Sequence, residues 1–360
     1  MTGVCCGPRL SPRSPDWHGV LYDLKTRSVV PQALHLKLRV AIVALLGLAL
    51  AVYLVMYAGI GAVLSTVGTV GWSGFGLLCL YALGLFVILG AAWYVLLPSS
   101  SPPGLPVFIW ARMVRDAASD VLPFSQIGGI VLGARAAILH GVSNPLVYAS
   151  TIVDVTTEML AQIAYIALGV LILDLRAPPT SFAHSLTRGL LIGLVFAVAA
   201  AGVFLALQRH GHGLIDKLTT RILPRALGRT AAVSAALKSI YQSRARVGLS
   251  LVLHFVGWIA SALGAWIAFR LVGARIDLAS VLAIESVVCA TRSAAVFIPH
   301  ALGAQEAAYA ILSPLFGVGP EVGLAVSLLK RARDITLGVP ILLIWQAVEG
   351  HRARSQPTQA

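Results

Sequence analysis

"SLLKRARDITLGVPILLIWQ", residues 327–346, decides how the chain is read. Lys330, Arg331, Arg333 and Asp334 fall within five positions of a segment that is otherwise apolar from Val322 to Trp345. On a helix at about 100° per residue, with Lys330 at zero, Arg333 lies at about −60°, Asp334 at about 40° and Arg331 at about 100°. The four charges therefore share one face, and Leu328, Ala332, Ile335 and Thr336 take the other. Lys330 and Asp334 are four apart and can pair. A helix that starts at Glu321 carries Lys330 about 14 Å in, close to mid-membrane. A helix that starts after the charges, at Ile335, keeps only about 12 apolar residues, too few to cross. The charges are expected inside the membrane. There each costs at least about 2.5–3.5 kcal/mol unless it faces protein, a partner or water.

The rest of the chain agrees with that setting. Of its 360 residues, 58% are hydrophobic and 11% are charged. Soluble domains carry about 25% charged residues, so this chain is solvated mostly by lipid. Backbone groups in lipid are satisfied internally, which leaves helices or a closed barrel. The apolar runs are long and do not alternate, which argues for helices. The formal net charge of +13 reflects Lys and Arg in cytoplasmic loops, not nucleic-acid binding. Cys5, Cys6, Cys79 and Cys289 lack metal-ligand and disulfide spacing, and His140, His254 and His300 are scattered, so no metal site is expected. There is no P-loop, GxSxG or HExxH pattern, so no nucleotide or other cofactor is expected. No cleavable signal peptide is expected, because the first apolar run starts near Leu38.

Full spans are expected at 38–58, 72–97, 146–173, 186–208, 247–271 and 321–347. The stretches 104–141 and 278–319 are broken, and each reads as two short helices joined at a proline, Pro123 or Pro299. Lys and Arg alternate between the loops so that both termini are cytoplasmic. The broken stretches then become re-entrant hairpins, the first entering from the cytoplasm and the second from outside. A shift of 176 residues lays 72–97 on 247–271, Pro123 on Pro299 and Gly141-Val142 on Gly317-Val318. The same shift lays Asp154 on Lys330 and Glu158 on Asp334. The expected architecture is an all-α polytopic membrane protein with two inverted repeats, about 72–173 and 247–348, a recurring transporter plan. They lie in one membrane domain, 38–350, between a disordered cytoplasmic tail, 1–37, and a cytoplasmic tail, 351–360. The basic 209–246 loop interleaves Leu214, Ile215, Leu218, Ile222 and Leu223, as in an amphipathic helix lying on anionic lipid.

The candidate residues follow from that plan. In "STIVDVTTEMLAQIAYIALG", residues 150–169, Asp154, Glu158, Gln162 and Tyr165 form one polar stripe. An ion pair between the repeats, joining these carboxylates to the cations near Lys330, lowers the cost of burying both. Alternatively such pairs only lock helices together. In "PFSQIGGIVLGARAA", 123–137, and "PHALGAQEAAYA", 299–310, broken backbone is tolerated only where it is buried or lines a wet cavity. Gln126, Arg135, Gln305 and Glu306 are expected to line that cavity. Arg135, with five donors, suits an anionic or hydroxylated head group. Glu285 and Arg292, seven apart, can pair across it.

The segments "LPFSQIGG", "GARAA", "VDVTTE", "FIPHALGAQEAAY" and "LAVSLLKRARDITLGVP" resemble the flippase-like membrane domain of the lysylphosphatidylglycerol synthases. The resemblance covers about residues 38–350 and is nearest to the stand-alone, hopanoid-biosynthesis-associated HpnL type. It implies a lipid-handling protein of the bacterial inner membrane that moves a hopanoid or another polar-headed lipid. Aminoacyl transfer belongs to a separate soluble domain of the larger synthases and is not expected of these residues. On this reading Arg135, Lys330, Arg331, Arg333, Gln126 and Gln305 bind the head group. Asp154, Glu158, Glu306, Asp334, Arg292 and Glu285 balance those charges or carry a coupling proton. One alternative is an intramembrane enzyme acting on hopanoid or polyprenyl lipids, with buried carboxylates as acid and base. Another is a scaffold that recruits soluble lipid-biosynthesis enzymes through the 209–246 loop.

Overall fold

The computed structural model describes residues 68–98, 104–122, 125–210, 227–295 and 301–355, with Met56, Ser65 and Ile298. Apart from Met56, the span expected at 38–58 lies outside the described residues, as do Pro123, Pro299 and 211–226. The described residues hold no strand. Their helices are α1 Gly71–Tyr94, α2 Leu105–Val121, α3 Ser125–Leu139, α4 Asn144–Arg176 and α5 Ser181–His210. Then follow α6 Leu227–Gln242, α7 Arg244–Leu271, α8 Leu278–Ala294, α9 Ala304–Leu312 and α10 Pro320–Ser355.

Among the described residues four helices are long and apolar enough to cross a membrane: α1, α4, α5 over Ser181–Gln208, and α7. The most apolar window of α5 is only 6% buried inside the protein. Ile192, Val195 and Phe196 point outward from it. An apolar surface of that extent has no stable place in water, and in lipid it is the ordinary outer face of a span. α10 is longer than any of the four, but Lys330 to Asp334 interrupt its apolar text and Pro340 lies within it. The chain is a multi-pass membrane protein.

Two apolar cores stand at opposite ends of the bundle, joined by the long helices. One gathers the C-terminal half of α7, α8, α9 and the start of α10, with Leu78 of α1 and Leu173 near the end of α4. The other gathers α2, α3 and α6, with Trp93 at the far end of α1, Val147 and Val153 near the start of α4, and Ile341 of α10. α1, α4 and α10 each run from one core to the other. The short helices do not. Asp120 near the end of α2 reaches Arg292 near the end of α8, so both stop in the middle.

α2 and α3 form an antiparallel pair whose closeness depends on glycine. A Cβ on Gly129 would lie 2.4 Å from the Arg115 carbonyl oxygen, and one on Gly133 would lie 2.9 Å from that of Ala111. The turns that lead into the two longest helices are built alike. Gly141 has φ 92° and Gly317 has φ 73°, a region that favours glycine. The next residue closes each turn: Val142 N–H donates to Ala137 O and Val318 N–H to Ser313 O. Pro145 and Pro320 then stand in the first turns of α4 and α10, where a missing N–H costs nothing. These are the glycine–valine pairs that the 176-residue shift superimposes.

Candidate functional site

Between the two cores lies a cavity of about 220 Å³. One wall, Ala82, Leu85, Phe86 and Leu89 of α1, is apolar. The rest is dense with charge. Arg112, Arg115, Arg292, Lys330 and Arg333 line it, and so do Asp116, Asp120, Glu158, Glu285 and Asp334. Among the described lining residues, five cations thus meet five carboxylates.

Beside α2 and α4 the charges form a network. Spacings of three and four put Arg112, Arg115 and Asp116 on one face of α2. Arg112 donates to both carboxylate oxygens of Glu158, at 3.2 and 2.6 Å, and to Asp116 at 2.9 Å. Arg115 donates to Asp154 at 2.7 Å and to Glu158 at 2.6 Å. Asp154 is fully buried behind Arg115, and its other oxygen meets Nε2 of His254 on α7 at 2.9 Å. Arginine's planar fork suits this double-sided grip, which lysine cannot reproduce.

Beside α8 and α10 the signs are exchanged. The carboxylate, Glu285, is on the short helix and the cation, Lys330, on the long one. Lys330 Nζ donates to Glu285 at 2.6 Å and to the Tyr309 hydroxyl at 2.8 Å. The Tyr309 hydroxyl donates in turn to Glu285. Lys330 also stands 5.4 Å from the centre of the Tyr309 ring, within cation–π range.

Asp154 and Lys330, the residues matched by the repeat shift, therefore do not pair with each other as expected. Each meets its opposite charge inside its own half, because its neighbouring short helix carries that charge, and Asp154 also meets His254 of the other half. A pair between the halves does form, from Arg292 Nη2 to Asp120 at 3.4 Å. Arg292 thus turns to Asp120, where Glu285 had been expected as its partner. Asp334 pairs with its neighbour Arg333 at 2.6 Å, whereas the spacing suggested Lys330.

The expected site residues divide accordingly. Glu158, Glu285, Arg292, Lys330, Arg333 and Asp334 line the cavity. Arg331 does not, although all four charges were read as one face. Its 100° offset from Lys330 turns it to α9, where it donates to Glu306 at 2.6 and 3.0 Å. Glu306 is fully buried and also accepts the Gly303 N–H at 2.8 Å, so it caps α9. Gln305 donates to Ser327 of α10 at 3.0 Å, away from the cavity. Arg135 is half-exposed on α3 and pairs with Glu349 near the end of α10 at 3.0 Å. The cause is shared: the second helix of each short pair packs outside the first, so its polar groups meet α10. The side chain of Gln126 lies outside the described residues.

Sequence reasoning passed over Arg112, Arg115, Asp116 and Asp120 as site residues. Their i, i+3, i+4 spacing on an otherwise apolar helix was the available signal. Gln162 and Tyr165 extend the cavity wall from the α4 stripe. Gln162 donates to Ser293 at 2.9 Å. Tyr165 stacks on Trp258 with ring centres 5.8 Å apart, and its buried hydroxyl has no partner among the described residues.

A family model described as lysylphosphatidylglycerol synthase TM region matches residues 42–343. No curated protein matches, and no solved structure matches.

Proposed function

For a chain that belongs to the lysylphosphatidylglycerol synthase TM region family, with its membrane-lipid-related function, we propose lipid translocation through the central cavity. The head group enters the cavity while the tails stay in lipid. The charge balance of the described cavity lining, five cations against five carboxylates with Asp154 and His254 paired behind them, carries this reading. Burying a net charge in a low-dielectric interior costs several kcal/mol, at least about 2.5 on insertion scales. A net-neutral or zwitterionic head group exchanges partners with the ion pairs and leaves no net charge behind. Arg135, by its donors, suited an anionic or hydroxylated head group; a net-neutral one fits the cavity lining better. At about 220 Å³ the cavity has room for a head group. Whole small-molecule ligands fill sites of about 300–1,000 Å³.

In this proposal the two short-helix pairs are re-entrant hairpins of inverted repeats, inserted from opposite sides. Lys330, Arg333, Arg115 and the Tyr165 hydroxyl receive the head group, and Glu158, Glu285 and Asp334 balance it. The cargo is a hopanoid or another polar-headed lipid, the membrane is the bacterial inner membrane, and both termini are cytoplasmic. The chain works as a translocase without catalysis or cofactor. The basic residues of the 209–246 region attract anionic lipid and soluble lipid-biosynthesis enzymes, although α6 within it packs into the bundle. The purified protein, reconstituted in liposomes with head-group-labelled lipids, tests the reading. Transbilayer movement faster than in protein-free liposomes, with the lipid chemically unchanged by mass spectrometry, is expected. A new lipid species would instead make the protein an enzyme.

A further inference from the structure

A second cavity, of about 870 Å³, lies between α4, α5, α6 and α7. Leu160, Leu205, Leu237 and Val247 give it apolar walls. Its polar groups are largely tied together across the helices. Gln208 donates to Thr156 at 2.9 Å, Tyr241 donates to Gln208, and Thr157 meets Ser250 at 3.0 Å. The charged members of the lining are Lys238 and Arg244, with no carboxylate among the described lining residues. Both are exposed, and neither has an ion pair among the described residues. Nearby Arg246 is used differently: it donates to the Leu97 carbonyl at 2.7 Å and holds α7 to the end of α1.

The position of this cavity is as informative as its lining. Leu205 and Gln208 close the candidate span Ser181–Gln208, and Arg244 and Val247 open the candidate span Arg244–Leu271. By length and composition, both candidate spans end at this cavity. Lys238 and Arg244, without an ion pair among the described residues, stand at those span ends beside apolar walls. Among the described lining residues the central cavity carries both signs of charge, whereas this one carries only cations.

We propose that this cavity binds one anionic phospholipid of the surrounding leaflet. Its phosphate lies between Lys238 and Arg244, and the upper part of a chain lies over Leu160, Leu205 and Leu237. The bound lipid fastens α5 and α6 to the back of α4, whose opposite face carries Glu158 and Gln162. The site stands whether or not the central cavity transports lipid.

Native mass spectrometry of the full chain in detergent tests it, with added dioleoyl-phosphatidylglycerol or dioleoyl-phosphatidylcholine. One phosphatidylglycerol retained in preference to phosphatidylcholine is expected. Removing both cations, Lys238→Ser with Arg244→Ser, is expected to weaken retention about thirtyfold, since each is worth about a fivefold change at a membrane surface. The charge-keeping pair Lys238→Arg with Arg244→Lys is expected to retain the lipid. Leu160→Trp, which fills the pocket and leaves the cations, is expected to lose it. Equal retention of the two lipids, an unchanged Ser/Ser variant, or retention by Leu160→Trp would overturn the proposal. Displacement by millimolar inorganic phosphate would overturn it too, by making this a free-anion site.

Discussion

Lys330 shows what a buried charge in this protein depends on. Its ammonium has Glu285, Tyr309 and the Tyr309 ring as partners, and its side chain is 10% exposed. Lys330→Met leaves Glu285 buried without its cation and is expected to cost about 3–5 kcal/mol. Replacing the whole group, with Glu285→Leu, Tyr309→Phe and Lys330→Met together, leaves no orphaned polar atom. Its expected stability is within about 1 kcal/mol of wild type or above it, because buried ion pairs are often exchanged for apolar groups without loss. Thermal melts in detergent check both variants. Arg115→Ala belongs with the costly class, at about 3–5 kcal/mol, since it removes the nearer arginine of the fully buried Asp154 and leaves the farther one, Arg112, at 3.9 Å. Arg292→Ala breaks a longer, partly exposed contact and is expected to cost less than about 1 kcal/mol. That these residues are ionised neighbours within an apolar segment was plain from the sequence. Their partners were not. A helical wheel gives the face of one helix but not the rotation of the helix opposite, so Asp154, Asp334 and a lipid head group were the partners open to Lys330, and Glu285 was not among them.

At the scale of elements, the positions of the helices were readable because apolar length and helix-breaking residues are local properties. The spans expected at 72–97, 146–173, 186–208 and 247–271 correspond to α1, α4, α5 and α7. The broken stretches became short helix pairs, and Gly141 and Gly317 became matching turns. Packing order was less readable: α3 and α9 sit outside α2 and α8, which removed Arg135, Gln305 and Glu306 from the cavity. Where α4 crosses α8, a Cβ on Gly169 would lie 2.1 Å from the Ser286 Cβ. Gly169→Ala is therefore expected to cost about 1–3 kcal/mol by overpacking. Adding Ser286→Gly is expected to recover part of that loss. Gly90→Ala meets the Cα of Ile109 at 2.6 Å, where no side-chain truncation can give relief. The same melting assay separates the two glycines.

At the scale of the whole molecule, a cavity lined by five cations and five carboxylates among the described residues lies between two apolar cores, and short helices from both halves end at it. Membership of the family and the all-helical fold were within reach of the sequence, because motifs and hydropathy carry both. The charge balance was not, because it depends on which side chains converge from α2, α4, α8 and α10. The proposed head-group passage rests on this charged cavity in a bundle clad in apolar side chains. If the charges served only to lock helices, removing one whole ionic group without loss of stability would leave transport intact. The most direct measurement is therefore transbilayer movement of a fluorescent lipid with a zwitterionic head group, in liposomes holding either wild type or the Glu285→Leu, Tyr309→Phe, Lys330→Met variant. Dithionite quenching of the outer-leaflet label reports the rate. The account predicts rapid movement with wild type and the protein-free rate with the stably folded variant. Equal rates for the two proteins, or a wild-type rate no faster than that of protein-free liposomes, would contradict it.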